Sequence, residues 1–151
     1  MSTPALLDPD KEHTLILVKP DGYARRLTGE ILRRIEAKGY VIAGLKVLRA
    51  STELLAQHYA EHKDRDFFPG LLEFMSSGPV VAIAVEGNRV VEGMRILMGT
   101  TNPTLAAPGT IRGDLGRDWG SEHMENIVHG SDSPASAARE IALWFPELTG
   151  E

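Results

Sequence analysis

The stretch TLILVKPDG, residues 14–22, contains an apolar run that ends in turn residues. Its first five positions carry Thr, Leu, Ile, Leu and Val, so a strand here would bury both of its faces. We therefore predict a central strand over residues 14–19, covered on both sides. The Pro-Asp-Gly that follows is typical of a turn. Lys19 ends the strand, and ligand crevices often lie at strand ends, which makes this lysine a candidate site residue.

Hydrophobic periodicity predicts the elements on either side of this stretch. Further strands are expected at residues 41–49, 80–85 and 126–128. Helices are expected at 29–38 (with Thr28 as N-cap and Gly39 at the end), from Ser51 to 59, at 71–75 after a bend at 67–70, at 89–98, and at 134–145 with Ser133 as N-cap. Residues 99–122 follow neither period, and a loop of that length is usually functional or disordered.

The order of these elements favours an α/β or α+β fold. Helices lie between the strands, but the strands are few. A small antiparallel sheet with packed helices, of the ferredoxin-like kind, and a parallel doubly wound sheet both fit this order. A chain of 151 residues is most simply one domain, residues 1–151.

Composition excludes several classes of protein. The net charge of -5 argues against nucleic-acid or membrane surfaces built on bulk basicity, so a bound anion needs a local cluster of Lys and Arg. The absence of Cys excludes disulfides and thiol catalysis. The start of the chain lacks the pattern of a signal peptide, and no run approaches the roughly 18 apolar residues of a membrane span. We predict a cytoplasmic protein.

The stretch NIVHGSDS, residues 126–133, places His129 between an apolar run and a predicted helix start. An imidazole there could be a structural group, a base, a ligand or a nucleophile. Ser131 and Ser133 supply hydroxyls beside it, and free N–H groups at the helix start favour anions. Glu140, about two turns into the helix, could bind one ring nitrogen and leave the other free. As isolated residues, a structural histidine and an exposed glutamate are the simpler interpretations.

A second group of residues could bind phosphate. Guanidinium, ammonium and hydroxyl groups are its natural donors, and the candidates are Lys19, Arg95, Thr101 and Arg112. The sequence has neither a P-loop nor a G-x-G-x-x-G after a strand, so side chains would replace backbone amides in binding a nucleotide. Tyr59 and Phe67 could serve as a hydroxyl donor and a stacking surface, although isolated aromatics more often lie in a core.

His58 and His62 are four positions apart on a predicted helix and could bind a metal ion together. The segment reads HYAEH, which differs from the H-E-x-x-H arrangement of zinc peptidases. A hydrated helix face is therefore the favoured interpretation of these two histidines.

Taken together, these residues resemble the nucleoside diphosphate kinase family along nearly the whole chain. The matching segments are TLILVKPDG (14–22), HYAEHKDRDFFPGLLEFMSSGPVVA (58–82), TNP (101–103), PGTIRGD (108–114), NIVHGSDS (126–133) and EIALWF (140–145). The combination of N-x-x-H-G-S-D-S with the upstream segments is specific to that family. With this resemblance we predict an α+β, ferredoxin-like sandwich whose four-stranded antiparallel sheet is covered by helices.

The resemblance also implies the role of each residue. His129 matches the histidine that is phosphorylated and passes the phosphoryl group on, and Glu140 and Ser131 match the groups that orient it. Phosphate contacts are implied for Tyr59, Arg95, Thr101 and Arg112, sugar contacts for Lys19 and Asn126, and base stacking for Phe67. Lys19 is also implied near the phosphates, as part of the catalytic set.

The implied activity is transfer of the γ-phosphoryl group from a nucleoside triphosphate to a nucleoside diphosphate, in two half-reactions through phosphorylated His129. The family uses Mg²⁺ bridged by the phosphates, without a dedicated set of protein ligands. It assembles as tetramers or hexamers, commonly with the loop around Pro103 in the interface, and we expect a homo-oligomer.

The segment between Asp114 and Asn126 departs from the family pattern. It is a few residues longer, and Glu125 stands where the family often has arginine. This suggests an alternative hypothesis, a nucleotide-binding or scaffold protein of the same fold whose turnover is impaired because residues 115–125 crowd the site. A metal-binding module at His58 and His62 is the third hypothesis.

Overall fold

The strands form one antiparallel sheet. The computed structural model describes residues 6–120 and 125–150 of the chain. The strands are β1 (His13–Val18), β2 (Val41–Leu48), β3 (Val80–Glu86) and β4 (Val128–Gly130), in the order β2-β3-β1-β4. Every neighbouring pair is antiparallel. The four-stranded, ferredoxin-like prediction is therefore confirmed, and the parallel doubly wound alternative is wrong.

Helices connect the strands and lie against the sheet. They are α1 (Pro20–Ala24), α2 (Thr28–Ala37), α3 (Thr52–His58), α4 (Phe68–Ser76), α5 (Val90–Met98), α6 (Ile111–Leu115), α7 (Pro134–Trp144) and α8 (Pro146–Thr149), and a single 3-10 turn covers Ala60–His62. Within the described ranges, none of these helices has the length and apolar content needed to cross a bilayer.

The two central strands, β1 and β3, are buried on both faces of the sheet and are apolar at nearly every position. Alternate residues of these strands point to opposite faces. Leu15 and Leu17 pack with residues of α3, α4, α7 and α8, whereas Ile16 and Val18 pack with residues of α2, α5 and α6. The sandwich therefore has two apolar layers, with the sheet between them.

Two predicted helix starts are confirmed by their caps. The Ser51 hydroxyl accepts a hydrogen bond from the Leu54 amide at the start of α3, at 3.1 Å. The Ser133 hydroxyl accepts one from the Ser136 amide at the start of α7, also at 3.1 Å. Each bond satisfies an amide that has no partner within its helix.

Other boundaries differ from the predictions for identifiable reasons. Thr28 does not cap α2: it is the first helical residue, and Leu27 occupies the cap position. The buried Thr28 hydroxyl has no hydrogen-bond partner within the described part of the chain. The expected turn at 20–22 begins α1, and the expected bend at 67–70 largely begins α4. In both cases a proline stands in the first helical turn, where its missing N–H costs nothing.

The last third of the chain holds further differences. The expected strand at 126–128 is observed two residues later, as β4, because residue 127 has a left-handed backbone that cannot continue a strand. The long loop from residue 99 contains α6, capped by the Thr110 hydroxyl through the Gly113 amide. The helix predicted to reach residue 145 ends at Trp144, and α8 follows it.

Candidate active site

A polar cleft of about 330 Å³ opens beside β4, at the end of β1. Its lining comes from the ends of several elements, including Lys19 after β1, Tyr59 after α3, Arg95 near the end of α5, and His129 in β4. The predicted site residues that line it are Lys19, Tyr59, Arg95, Thr101, Arg112, Asn126, His129 and Glu140. The fold thus gathers groups from distant parts of the sequence.

The nucleophile candidate His129 is held by a carboxylate. His129 Nε2 lies 2.9 Å from Glu140 Oε1, and the Ser131 hydroxyl donates to the same oxygen at 2.8 Å. Ser131 is itself fixed, because its oxygen accepts from the Leu15 amide at 3.1 Å. Burial opposes the charged form of Glu140, but the hydrogen bonds and positive charge around it lower its pKa below the ordinary value.

This arrangement fixes the tautomer of His129. An ionised carboxylate only accepts hydrogen bonds, so Nε2 carries the proton that faces Glu140. The lone pair of Nδ1 is then available in a neutral ring. Gly130 beside it allows close packing, since a Cβ at that position would overlap the Met98 side chain. The imidazole is therefore prepared for nucleophilic attack through Nδ1.

Lys19 and Asn126 are tied together at the cleft. Lys19 Nζ donates to Asn126 Oδ1 at 2.8 Å, and Asn126 Nδ2 donates to the Thr101 carbonyl at 2.9 Å. Burial, then the positive charge of Arg112, lower the pKa of Lys19 to about 8, while Asp21 partly opposes this change. Lys19 is thus a cation that loses its proton as the pH rises through about 8.

Arg112 is buried and donates hydrogen bonds to the backbone near His129. Its guanidinium donates to three carbonyls: that of Asn126 from Nε at 3.2 Å, that of Gly99 from Nη1 at 2.9 Å, and that of Val128 from Nη2 at 2.6 Å. Because an arginine has five N–H donors, two remain for a ligand. Burial, followed by the charge of Arg95, lowers the pKa of Arg112 to about 10.

The remaining phosphate and base candidates differ in their environment. Arg95 pairs with Asp132, Nη1 to Oδ1 at 2.5 Å, and both side chains are largely exposed. The Tyr59 hydroxyl is buried and has no partner among the described residues, and burial raises its pKa, so it stays a proton donor. Phe67 lies outside the set of described residues that line the cleft; its half-exposed ring stands 5.4 Å from that of His62.

A strained residue precedes the histidine. Ile127 has φ of 72°, a left-handed conformation that a β-branched residue rarely adopts. Both of its backbone groups are held: its amide donates to Asp21 Oδ2 at 3.0 Å, and its carbonyl accepts from the Lys19 amide at 2.7 Å. Strain of this kind costs on the order of 1–3 kcal/mol and is often found at functional sites. Asp21 therefore supports the site, although the sequence indicated only a turn there.

Sequence reasoning also missed His58. The interpretation as a hydrated helix face is wrong for this residue, which is 3% exposed and lies against His129. Its position three residues after the buried Leu55 places it on the apolar side of α3, a signal that the sequence does contain. His62 lies beyond α3, in the 3-10 turn, so the two histidines do not form a pair on one helix.

The family model for nucleoside diphosphate kinase matches residues 12–149. The chain belongs to the nucleoside diphosphate kinase family. It is 57% identical over 136 residues to the cytosolic nucleoside diphosphate kinase of Dictyostelium discoideum, covering 90% of this chain and 85% of the relative. It is 56% identical over 138 residues to the nucleoside diphosphate kinase of Nocardia farcinica, covering 91% and 96%.

Solved structures of nucleoside diphosphate kinases have the same fold. A family protein from Babesia bovis superposes with a TM-score of 0.85 at 48% identity, over 91% of this chain and 90% of that one. The halophilic nucleoside diphosphate kinase of Halobacterium salinarum, solved in complex with CDP, gives a TM-score of 0.84 at 47% identity, over 89% and 88%. The predicted family is therefore confirmed, and the chain is an enzyme of that family.

Proposed function

We propose that this protein transfers the γ-phosphoryl group of a nucleoside triphosphate to a nucleoside diphosphate through a phosphorylated His129. The observation that carries the proposal is the contact of His129 Nε2 with Glu140, which leaves Nδ1 as the nucleophilic nitrogen in a cleft lined by Lys19, Arg95 and Arg112. The nucleotide kinase names of the relatives support the overall reaction.

In the first half-reaction, the Nδ1 lone pair forms a bond to the γ-phosphorus while the bond from that phosphorus to the β–γ bridging oxygen breaks. The nucleoside diphosphate leaves with the electron pair. The imidazole ring gains positive charge, which the Glu140 carboxylate stabilises through Nε2–H. In the second half-reaction, a terminal oxygen of another diphosphate attacks the phosphorus, the N–P bond breaks, and His129 returns to its neutral form.

The cations of the cleft supply the charge that phosphoryl transfer requires. The transferred group spreads negative charge over its three equatorial oxygens, and fixed positive groups stabilise that charge best. Lys19, Arg95 and the two free N–H donors of Arg112 are suited to this task. The buried Tyr59 hydroxyl and Thr101 provide further donors. Arg95 must exchange Asp132 for phosphate oxygens when a nucleotide binds.

Mg²⁺ fits this site as part of the nucleotide substrate. Three described carboxylates line the cleft: Glu61, Asp132 and Glu140. Glu140 is held by His129 and Ser131, Asp132 is held by Arg95, and Glu61 is exposed. These oxygens do not form the near-octahedral set that Mg²⁺ prefers, whereas nucleotide phosphates supply such oxygens. When bound, the ion would neutralise charge on the phosphates, and the residues above would orient the nucleotide.

Broad base specificity follows from the proposed contacts. Phe67 and the neighbouring His62 offer aromatic faces at the rim, and stacking accepts any base. Asn126 and Lys19 are the candidates for sugar hydroxyls, although they already bond each other. If no polar group reads the base edge, discrimination between bases stays small.

We also infer a homo-oligomer in the cytoplasm. β2 is an edge strand of the sheet, and its Val41, Leu45 and Val47 side chains are more than half exposed. An apolar edge strand on a free protein favours association, so a second copy of the chain is its natural cover. The cytoplasmic location is supported by the cytosolic relative from Dictyostelium.

The decisive experiment follows phosphate from labelled ATP through the protein to GDP, CDP and UDP. We expect an acid-labile phosphoenzyme and labelled triphosphates from all acceptors. His129→Ala should abolish both, with nucleotide binding intact. The matched control is His13→Gln, since His13 lies at the opposite end of β1, where it contacts Glu86.

Two results would decide against the proposal. Transfer that persists in His129→Ala refutes the phosphohistidine. Nucleotide binding without transfer in the wild-type protein favours the alternative, a binding or scaffold protein impaired by its longer 115–125 segment, of which residues 121–124 lie outside the described ranges.

A further inference from the structure

His58 is a buried histidine with a defined hydrogen-bond partner. It ends α3 and is 3% exposed, and its Nδ1 lies 3.0 Å from Nε1 of the equally buried Trp144. An indole N–H can only donate, so His58 Nδ1 must carry a lone pair. The proton of the neutral ring is therefore on Nε2. Trp144 selects one tautomer of His58, just as Glu140 selects one tautomer of His129.

The His58 ring packs directly on the ring of His129. Their centroids are 4.6 Å apart and their planes meet at 73°, which is an edge-to-face contact. Tyr59 and Trp144 also meet the His58 ring edge-to-face, at 4.6 and 5.6 Å. His58 therefore forms one wall of the space in which the His129 ring could rotate.

Burial, more than the charges that face it, keeps His58 neutral. The ionisable groups around it are His129, Glu140, Arg139 and Lys19. Burial, and after it the positive charge on His129, lower the pKa of His58 to about 3, although Glu140 opposes this change. A protonated His58 would compete with His129 for Glu140, since a ring nitrogen of each histidine and a carboxylate oxygen of Glu140 all lie within 4.8 Å of one another.

We propose that His58 is a positioning residue for His129: held in one neutral tautomer by Trp144, its ring keeps the His129 imidazole in the orientation that binds Glu140 through Nε2 and leaves Nδ1 for the phosphoryl group. This inference rests on the proposed phosphohistidine mechanism. It adds an indole–imidazole pair to that mechanism, with no contact to the nucleotide required.

Two substitutions test the roles of Trp144 and His58 separately. Trp144→Phe keeps an aromatic ring but removes the N–H, so His58 can take a proton on Nδ1. His58→Asn places an amide oxygen near the former Nδ1, where it can still accept from Trp144, but removes the ring edge that meets His129 and introduces no titrating group. Phe145→Leu is the matched control, because Phe145 is an equally buried aromatic next in sequence to Trp144.

The measurement is the single-turnover rate of phosphoenzyme formation as a function of pH, with nucleotide affinity and thermal stability determined in parallel. We expect both site variants to slow phosphorylation about tenfold or more with nucleotide affinity unchanged, as for a misplaced reacting group. In Trp144→Phe the acidic limb of the pH profile should also move to higher pH, whereas in His58→Asn it should not. Phe145→Leu should lose stability without changing the rate profile.

The outcomes distinguish this inference from the function on which it rests. If wild-type protein forms phosphoenzyme and both variants keep its rate and pH profile, the positioning role is refuted while the proposed function stands. A uniform loss of rate in Trp144→Phe, with the acidic limb in place, also refutes it, because a merely structural defect gives that result. Wild-type protein that forms no phosphoenzyme overturns the proposed function and this inference together.

Discussion

The chemistry proposed for His129 depends on one carboxylate. Glu140 accepts hydrogen bonds from both the His129 ring and the Ser131 hydroxyl, and the residue is 5% exposed. A buried charge is tolerated only when it is paired and hydrogen-bonded. His129 and Ser131 donate hydrogen bonds to Glu140, and Arg139 Nη2 lies 3.8 Å from its Oε2. At the scale of the residue, the site is therefore a hydrogen-bond chain from the Leu15 amide through Ser131 and Glu140 to His129.

Glu140→Gln should slow phosphoenzyme formation by about 10²- to 10⁴-fold. A catalytic imidazole that loses its carboxylate partner is slowed by a factor of this order. A neutral amide keeps the shape of the side chain but does not stabilise the charged ring or select its tautomer. Rapid-quench measurement of the phosphoenzyme tests this. Glu147→Gln is the control, since that glutamate pairs with Lys46 at the surface instead. Equal rates in the two variants would contradict the role of Glu140.

Lys19 gives the site a pH dependence of defined sign. Its pKa of about 8 means that the amine loses its proton, and its attraction for phosphate, as pH rises through that value. We expect kcat/KM for ATP, which reports on the free enzyme, to fall above about pH 8. In Lys19→Arg the fall should disappear, because arginine keeps its charge. A wild-type profile that stays flat to about pH 10 contradicts this prediction.

At the scale of elements, β4 and α7 meet at His129. β4 carries His129 next to Leu17 of β1, and α7 begins immediately afterwards and carries both Glu140 and Trp144. The Ser133 side chain caps the start of α7, three residues after β4 ends. The strained Ile127 precedes β4 and is held by Asp21 in the first turn of α1, directly after β1. His129 therefore stands on a short strand, preceded by the held Ile127 and followed by the capped start of α7.

Ser133→Ala should lower the free energy of unfolding by about 1 kcal/mol, the usual cost of losing a helix N-cap. The Ser136 amide would lose its partner at the start of α7. Urea unfolding of the purified protein measures the change. Ser133→Asp is the control, because aspartate also caps and its charge suits the positive end of a helix. If alanine and aspartate give the same stability, Ser133 does not act as a cap.

At the scale of the whole molecule, the two layers of helices leave one edge of the sheet uncovered. Leu45 and Val47 of β2 pair with Ile83 and Val81, which point into the layer formed by α2, α5 and α6. Their own side chains are 51% and 58% exposed. A single chain thus exposes apolar side chains along β2, and this exposure is the physical reason to expect an oligomer.

Val47→Lys should reduce the size of the particle in solution, because a lysine in a buried apolar contact between chains would be left without a partner. Light scattering coupled to gel filtration gives the mass directly. Ile96→Lys is the control: Ile96 is 68% exposed on α5, which packs against β1 and β4, so its substitution should leave the mass unchanged. An unaltered mass for Val47→Lys would show that β2 is not in the interface.

Most of the elements and of the candidate site were predictable because their signals are local. The apolar runs at β1 and β3 and the caps Ser51 and Ser133 are each contained within a few neighbouring residues. The errors also have local causes. A proline is found both in turns and at helix starts, so Pro20 and Pro69 did not distinguish the two. The left-handed backbone of Ile127 has no sequence signal, because residues distant in sequence impose it.

The sequence by itself determined most of the strands and longer helices, the shortage of bulk positive charge and the candidate site residues, because each of these depends on residue type and on recognisable motifs. Only the tertiary structure decided which groups act together. It joined Lys19 to Asn126 across 107 positions and His58 to Trp144 across 86, and it turned Arg112 onto three carbonyls. Contacts of this kind depend on burial and on the pairing of distant elements. The second imidazole beside His129 is therefore visible only in the folded chain.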